Sequence, residues 1–384
     1  MPISRRGFLS SLGAGGAGVL AAPLISWRGH EALFAQGTAA RRADRLLAAQ
    51  PGVIRIDSNE NPNGPGERVY EVIRRHLSES NRYPVKSEDD LAAAIARVHS
   101  IQAENVILGS GSGELLRAAV SAFTSRDAPL LAPDPTFEAP AAWAKFIGVQ
   151  IIAPKVDGTL HLDLDAMADQ GRGAGLVYLC NPNNPTATVH SRSDVTAYVE
   201  RVGELSPGTT ILIDEAYHEY VDEPSYGTAI PLALSNPKVV VTRTFSKVFG
   251  MAGLRAGYAV GQPATLAKLA AWLLGSNVSQ LTLVAAAATV GDSAHIAHEQ
   301  RRNRTTRAFT RKFFEGAGFT VARSDANFMM VDIRRDAKQF KLDAIKHKVA
   351  VGRQFLSLPT WVRVSVGTLP EMQKAVQVFR TMLA

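Results

Sequence analysis

Six short apolar runs, most of them β-branched, recur along the first two thirds of this chain: Val106-Ile107-Leu108, Leu130-Leu131, Gly148 to Ile152, Leu176 to Leu179, Ile211-Leu212-Ile213 and Val239-Val240-Val241. Between them lie helix-period segments such as Asp89 to Val98 and Ser193 to Leu205. A strand with no polar alternation has no face to offer water, so such runs predict a mostly parallel sheet buried on both sides by the intervening helices. The fold class is α/β. Ligands in sheets of this kind sit beyond the carboxyl ends of the strands, and the polar motifs of this chain follow directly after the apolar runs. From about Ser276 the pattern changes to a long Ala-rich then Arg-rich helix, short strands at Phe328 to Val331 and Trp361 to Val366, and a last helix from Pro370. The expected division is a leader over 1–37, an N-terminal arm with part of a small domain over 38–75, a large domain over 76–275 and a small α+β domain over 276–384.

Composition removes several classes of function. With 384 residues, 46% of them hydrophobic and 20% charged, the chain can bury substantial cores, which sets disorder and fibrous folds aside. The formal charge of +7 is scattered, with no basic run interleaved with aromatics, so no nucleic-acid partner is expected. Cys180 is the single cysteine, which forbids an intrachain disulfide or a multi-thiolate metal site. His218, His295 and His298 lack a ligand-spaced carboxylate cluster, and no metal is assigned. Arg301, Arg302, Arg304 and Arg307 read as the solvated face of a helix.

At the start, Ser4-Arg5-Arg6-Gly7-Phe8-Leu9 precedes a weakly hydrophobic Gly/Ala/Leu stretch from Ser11 to Leu24, with small residues around Ala35 to Ala39. This is the layout of a twin-arginine signal peptide. Its apolar part is short and glycine-rich beside the roughly 20 residues of a membrane span, so the expectation is export to the periplasm without a permanent anchor. The twin-arginine route moves folded proteins, which suits an enzyme loaded with a cofactor before export.

Four strand-end segments carry the chemistry. Val240 to Lys247 runs from a strand into a hydroxyl-rich turn ending in lysine, with Arg255 eight residues on. A lysine there can be a neutral amine nucleophile toward an aldehyde, and Thr244, Ser246 and Arg255 can surround a phosphate. Ile211-Leu212-Ile213-Asp214 ends an apolar strand in a carboxylate that needs a cationic partner; a pyridinium nitrogen, an arginine or a helix start would each serve. Asn181-Pro182-Asn183-Asn184-Pro185 is a rigid turn presenting amide side chains, of which Asn184 can donate to a phenolate-type oxygen. Gly109-Ser110-Gly111-Ser112-Gly113 opens a helix and offers free amides to an anion, as it would in a nucleotide binder.

Taken in order, these segments resemble the fold-type I pyridoxal-phosphate (PLP) aminotransferases of class I/II, the histidinol-phosphate aminotransferase subgroup in particular. Further matching text is Ser58-Asn59-Glu60-Asn61-Pro62 with Gly64-Pro65, Arg82-Tyr83-Pro84, Pro135-Thr136-Phe137, Asp214 to Tyr220, Ala326-Asn327-Phe328 and Arg363 to Thr368. The resemblance implies the PLP-dependent transferase fold, a homodimer, and a ping-pong transfer of an amino group from a small-molecule donor to a 2-oxo acid acceptor. It makes Lys247 the Schiff-base lysine, pairs Asp214 with the pyridinium nitrogen, and puts Asn184 and Tyr217 on the phenolic oxygen with Phe137 stacked on the ring. Phosphate contacts would come from the Ser112 and Gly113 amides, Thr244, Ser246 and Arg255, with Tyr83 reaching over from the partner subunit. Arg363 matches the arginine that binds the substrate carboxylate, or in histidinol-phosphate enzymes the phosphate; Arg353 sits where those enzymes place a second, and Asn327 belongs to the substrate side.

Three departures stand out. Ala187 replaces the family's usual Gly, Gly113 replaces its usual Asp, and a Pro-Tyr-x-Pro-Gly element supplying a substrate tyrosine is absent, which counts against histidinol phosphate as substrate. Within the same fold the alternatives are a decarboxylase, lyase or racemase, or a binding protein that has lost turnover.

Overall fold

The computed structural model describes residues 46–384, so the leader reading over 1–37 lies outside the described residues. The first described strand, β1 (Ile54–Ile56), belongs to the C-terminal part of the fold and is taken up below. The large sheet comprises β2 (Val106–Gly109), β3 (Leu130–Leu131), β4 (Ile151–Ile152), β5 (Leu176–Cys180), β6 (Thr210–Asp214), β7 (Val239–Thr244) and β8 (Gly257–Val260), ordered β2-β8-β7-β6-β5-β3-β4. The four pairings among β3 to β7 are parallel, while β8 runs antiparallel to both β2 and β7. β5, β6 and β7 are buried along their whole length. Alternate residues sort cleanly to two cores, Val177, Leu179, Ile211, Ile213, Val239 and Val241 on one face and Leu176, Tyr178, Cys180, Leu212 and Val240 on the other. The six apolar runs thus each contribute a strand to one sheet, covered on both sides at its centre and open at the β4 edge.

The remaining strands are β9 (Thr320–Val321), β10 (Phe328–Asp332), β11 (Val349–Val351) and β12 (Trp361–Ser365). β10 lies between β9 and β12 in an antiparallel sheet, and β1 pairs in parallel with β11. A third core joins Ile56 to Met329, Val331, Val349, Val364 and Phe379, so the segment after residue 53 is stitched to chain some 300 residues later. The Ala-rich and Arg-rich stretch, expected as one helix, is two: Gln280–Thr289 and Ser293–Gly316. The break falls at Gly291-Asp292, where the Asp292 carboxylate accepts from the His295 amide and starts the second helix. The first helix buries Leu283, Ala285 and Ala286 in the core of the large sheet. Among the described residues no helix is long and apolar enough to cross a membrane.

The ends of β6 and β7 are tied by a buried ion pair. Arg243 Nε and Nη2 both donate to Glu215 Oε2, at 3.0 and 2.8 Å, and Glu215 also accepts from the Ala229 amide and the Thr228 hydroxyl. Arg243 is only 5% exposed, and its remaining carboxylate, on Glu219, stands 3.6 Å away. Glu215→Ala strands a buried guanidinium and should cost about 3–5 kcal/mol, read as a lowered urea midpoint with an unchanged slope.

Candidate active site

Every strand end identified in the sequence opens onto one place. In register, Cys180 of β5 pairs with Asp214 of β6, and Asp214 with Thr242 of β7. Asp214 is 2% exposed. Its Oδ2 accepts from the Tyr178 hydroxyl at 2.8 Å and its Oδ1 from Thr242 Oγ1 at 3.4 Å. Burial pushes its carboxyl up to about 6, although the hydrogen bonds from Tyr178, the Ala216 amide and Thr242 pull the other way. This is a carboxylate held where the protein alone does not supply enough positive charge to stabilise it.

Lys247 lies three residues past β7. Burial, with the Arg363 charge added, draws its amine down to about 8, against the pull of Glu60 and Asp214. Its Nζ donates to the Asn59 carbonyl at 3.1 Å and stands 5.3 Å from the centre of the Tyr217 ring. The loop that carries it is clamped by the 59–65 segment: Asn61 Nδ2 donates to the Val248 carbonyl, and a Cβ on Gly250, whose φ is +66°, would fall 2.2 Å from the Gly64 carbonyl. Only glycine permits that approach. Asn59 is the hub. Its backbone sits at φ +54°, its carbonyl also accepts from Asn327 Nδ2 at 3.1 Å, its amide nitrogen donates to Tyr217 Oη at 3.1 Å, and its Oδ1 accepts from Ser365 Oγ.

A cluster of anion-binding donors forms where helix Ser112–Phe123 begins. The amides of its first turn, Ser112 and Gly113 among them, have no intrahelical carbonyl to reach. Gly257, opposite Thr244 in the β7–β8 register, lets Ser112 approach so closely that a Cβ there would be 2.3 Å from the Ser112 nitrogen. Thr244 Oγ1 and Ser246 Oγ are 3.0 Å apart, and Arg255 Nη1 donates to Ser246 Oγ at 3.3 Å. Arg255 takes a left-handed backbone, φ +62°, to place its guanidinium against Gly111, where a Cβ would meet Nη2 at 2.1 Å. Strain in a non-glycine residue that aims a cation into a ring of donors is typical of a ligand site.

Arg363 of β12 is 9% exposed. Its Nη1 donates to Asn184 Oδ1 at 2.8 Å and its Nη2 to the Asp57 carbonyl at 2.6 Å, while Nε is buried with no partner. By holding Oδ1, Arg363 fixes the Asn184 amide so that its NH2 group faces elsewhere. Phe137 is half-buried against the core that contains Tyr178 and Cys180. Arg353 is salt-bridged to Glu138 at 2.6 Å. Tyr83 is 88% exposed and is not brought to the site within this chain.

These residues fit PLP. A buried anion short of positive charge suits the ring nitrogen, a depressed amine suits the aldehyde, and helix amides with two hydroxyls and a guanidinium suit the phosphate. Two unused donors, Asn184 Nδ2 and the Tyr217 hydroxyl, suit the phenolic oxygen. Tyr178 and Glu138 were not singled out from sequence, and Asn59 stood only as part of a matching segment with no role assigned. Tyr178 carried a usable signal: it is the one hydroxyl inside a wholly apolar run, and a buried hydroxyl needs a partner. The alanine at the glycine position also has a structural consequence, because Ala187 is fully buried at φ +63°. Ala187→Gly should raise stability by up to about 1 kcal/mol, the relief of left-handed strain less the added freedom of the unfolded chain, measurable by urea denaturation.

A buried sheet whose carboxyl edge gathers a lysine amine, a buried carboxylate and a cluster of anion-binding donors has the parts that a PLP-dependent transferase needs. Residues 51–379 match the family described as aminotransferase class I and II. A histidinol-phosphate aminotransferase of Symbiobacterium thermophilum is 33% identical over 334 residues, covering 86% of this chain and 91% of the relative. One from Nitrosococcus oceani is 32% identical, covering 86% and 89%. The histidinol-phosphate aminotransferase of Sinorhizobium meliloti, solved in complex with pyridoxal-5'-phosphate, superimposes with a TM-score of 0.82 at 25% identity, covering 88% of this chain and 94% of that one. The chain belongs to the class I and II aminotransferase family and is a PLP-dependent transaminase, as the sequence implied.

Proposed function

We propose that this transaminase holds PLP by a covalent bond through Lys247 Nζ, with Asp214 against the ring nitrogen, Asn184 and Tyr217 on the phenolic oxygen and Phe137 on the ring face. The phosphate is taken by the Ser112 and Gly113 amides, Thr244, Ser246 and Arg255. The observation that carries this is the gathering of a buried carboxylate, a lysine amine and a cluster of anion-binding donors at neighbouring strand ends, with the carboxyl raised to about 6 and the amine lowered to about 8. When bound, the cofactor supplies an electron sink that loosens the substrate's Cα–H bond. The chain's residues do the rest. Arg363 holds the substrate's acid group, using a guanidinium whose Nε has no other partner. Lys247, once displaced by the substrate amine, is the base that takes the proton from Cα and returns it one atom along. Asp214 keeps the ring nitrogen protonated by offering it a buried negative charge.

The working unit we infer is a homodimer in which Tyr83 crosses to the partner's phosphate site; its nearly complete exposure, with Leu77 and Val85 also exposed nearby, supports this. Export through the twin-arginine route rests on Arg5-Arg6 and the apolar stretch after them. Titrating the purified protein with a panel of amino acids tests the function. Loss of the bound cofactor's visible band with formation of a keto acid, reversed by a second keto acid, is the expected result. Carbon dioxide release or an inverted amino acid in its place would refute transamination.

A further inference from the structure

The end of the site that recognises the substrate's acid group holds two guanidiniums, with Glu138 paired to one of them and the Asp57 carboxylate near the other. Arg353 and Arg363 share the Phe355 ring, with their guanidinium carbons 4.2 and 5.7 Å from its centre. The two cations are differently occupied. Arg353 Nη2 is 2.6 Å from Glu138 Oε2, and its Nη1 donates to the Gln354 carbonyl at 3.1 Å. Arg363 meets only neutral acceptors, the Asn184 side chain and the Asp57 carbonyl, and keeps a buried Nε unpartnered.

Glu138 reaches this position because it follows Phe137 directly and stands as the residue before helix Ala139–Phe146. Burial works against its charge, yet the Arg353 charge and hydrogen bond, with Arg363 behind them, hold its carboxyl below the usual glutamate range. It is therefore an anion at working pH. Glu138 pairs directly with Arg353, whereas the Asp57 carboxylate acts on Arg363 only through space, so Arg363 is the guanidinium left without a paired carboxylate.

We propose that Glu138 is a specificity-determining residue that sets this acid end to accept a monoanionic carboxylate and to reject a dianionic phosphate ester. The inference rests on the transaminase reading with Arg363 at the substrate's acid group. A phosphate spanning both arginines would have to displace Glu138 from Arg353 or lie beside it, placing like charges together in a partly desolvated site. A carboxylate needs Arg363 alone. The substrate class is thus an α-amino acid, and the guanidinium that could hold a phosphate is taken up by the protein's own glutamate.

L-Histidine and L-histidinol phosphate test this directly, since they share the imidazole and the amine and differ in the acid end. The cofactor-loaded wild type should show the higher kcat/KM with L-histidine. Glu138→Gln keeps an acceptor for Arg353 but removes the charge, and should raise the ratio of histidinol phosphate to L-histidine by about tenfold or more. Arg353→Met leaves Glu138 free to compete for Arg363, and should raise KM for L-histidine while largely sparing kcat. Calorimetric titration of the loaded protein with methyl phosphate and with acetate provides a second readout that needs no turnover. The dissociation constant for methyl phosphate should fall about tenfold in Glu138→Gln and that for acetate much less. A ratio and a methyl phosphate affinity that both stay within twofold of wild type, or a wild type that prefers histidinol phosphate, overturn the inference while leaving transamination intact. A protein that transaminates no amino acid in the panel overturns the transaminase reading instead.

Discussion

Lys247→Ala is expected to lower transaminase turnover by at least about 10⁴-fold, because in the proposed assignment it removes both a nucleophile and the base at the substrate's Cα. The fold should survive the change. The side chain's one hydrogen bond, to the Asn59 carbonyl, is worth about 1 kcal/mol, and the amine whose pKa burial and Arg363 draw down to about 8 was an unfavourable charge near neutral pH. Two measurements separate a chemical role from a structural one. Borohydride should fix one cofactor per chain in the wild type and none in the variant, with phosphate-cradle binding retained. Small primary amines added to the solution should restore part of the turnover, since they can carry the missing proton. A variant that keeps turnover within tenfold, or still traps cofactor covalently, removes Lys247 from the mechanism.

The parts of the site legible in the sequence are those where local pattern and chemistry coincide. Asp214 directly follows an uninterrupted apolar run and Lys247 ends the hydroxyl-rich turn after another, and a charged residue at such a strand end is either buried with a partner or at a ligand. The glycine-rich start of helix Ser112–Phe123 could be read as an anion site for the same reason. What stayed hidden depends on distant pairings. Asn59 acquires its role from Tyr217, Lys247, Asn327 and Ser365, residues 158 to 306 positions away, and the Ser58 to Pro62 segment marks the position without naming those partners. Glu138 looks like any polar residue opening a helix until β12 and the loop before it bring Arg353 and Arg363 alongside. The antiparallel β8 was missed because Gly257–Val260 is short and carries too little periodicity to be told from loop. The break at Gly291-Asp292 was passed over because helical periodicity on both sides outweighed one glycine and one capping aspartate.

Asp214→Asn is expected to split stability from activity. In the wild-type protein without cofactor the folded carboxyl titrates at about 6 against an ordinary 3.8, raised chiefly by burial. A group whose folded value is raised favours the folded state only while protonated, so its contribution fades as pH climbs from near 4 through 6 and is gone above that. At pH 7 the cofactor-free protein therefore carries an ionised, buried Asp214 at a cost of about 3 kcal/mol. Asparagine has the same shape, can still accept from Tyr178, and carries no charge. The cofactor-free variant should be the more stable at pH 7 by up to about that amount, less the cost of the acceptor lost where an NH2 group replaces one carboxylate oxygen, with the gain from the removed charge vanishing near pH 4. In the loaded enzyme the proposed pairing with the ring nitrogen gives the carboxylate its cation, so the order should reverse and turnover of the variant should drop by about 100-fold or more. Urea midpoints of both cofactor-free proteins across pH 4 to 8, beside turnover of the loaded forms, read the two effects separately. Equal stability at pH 7 would mean that Asp214 is not a strained anion awaiting a cation. Turnover left intact would mean that the ring nitrogen is served by some other group.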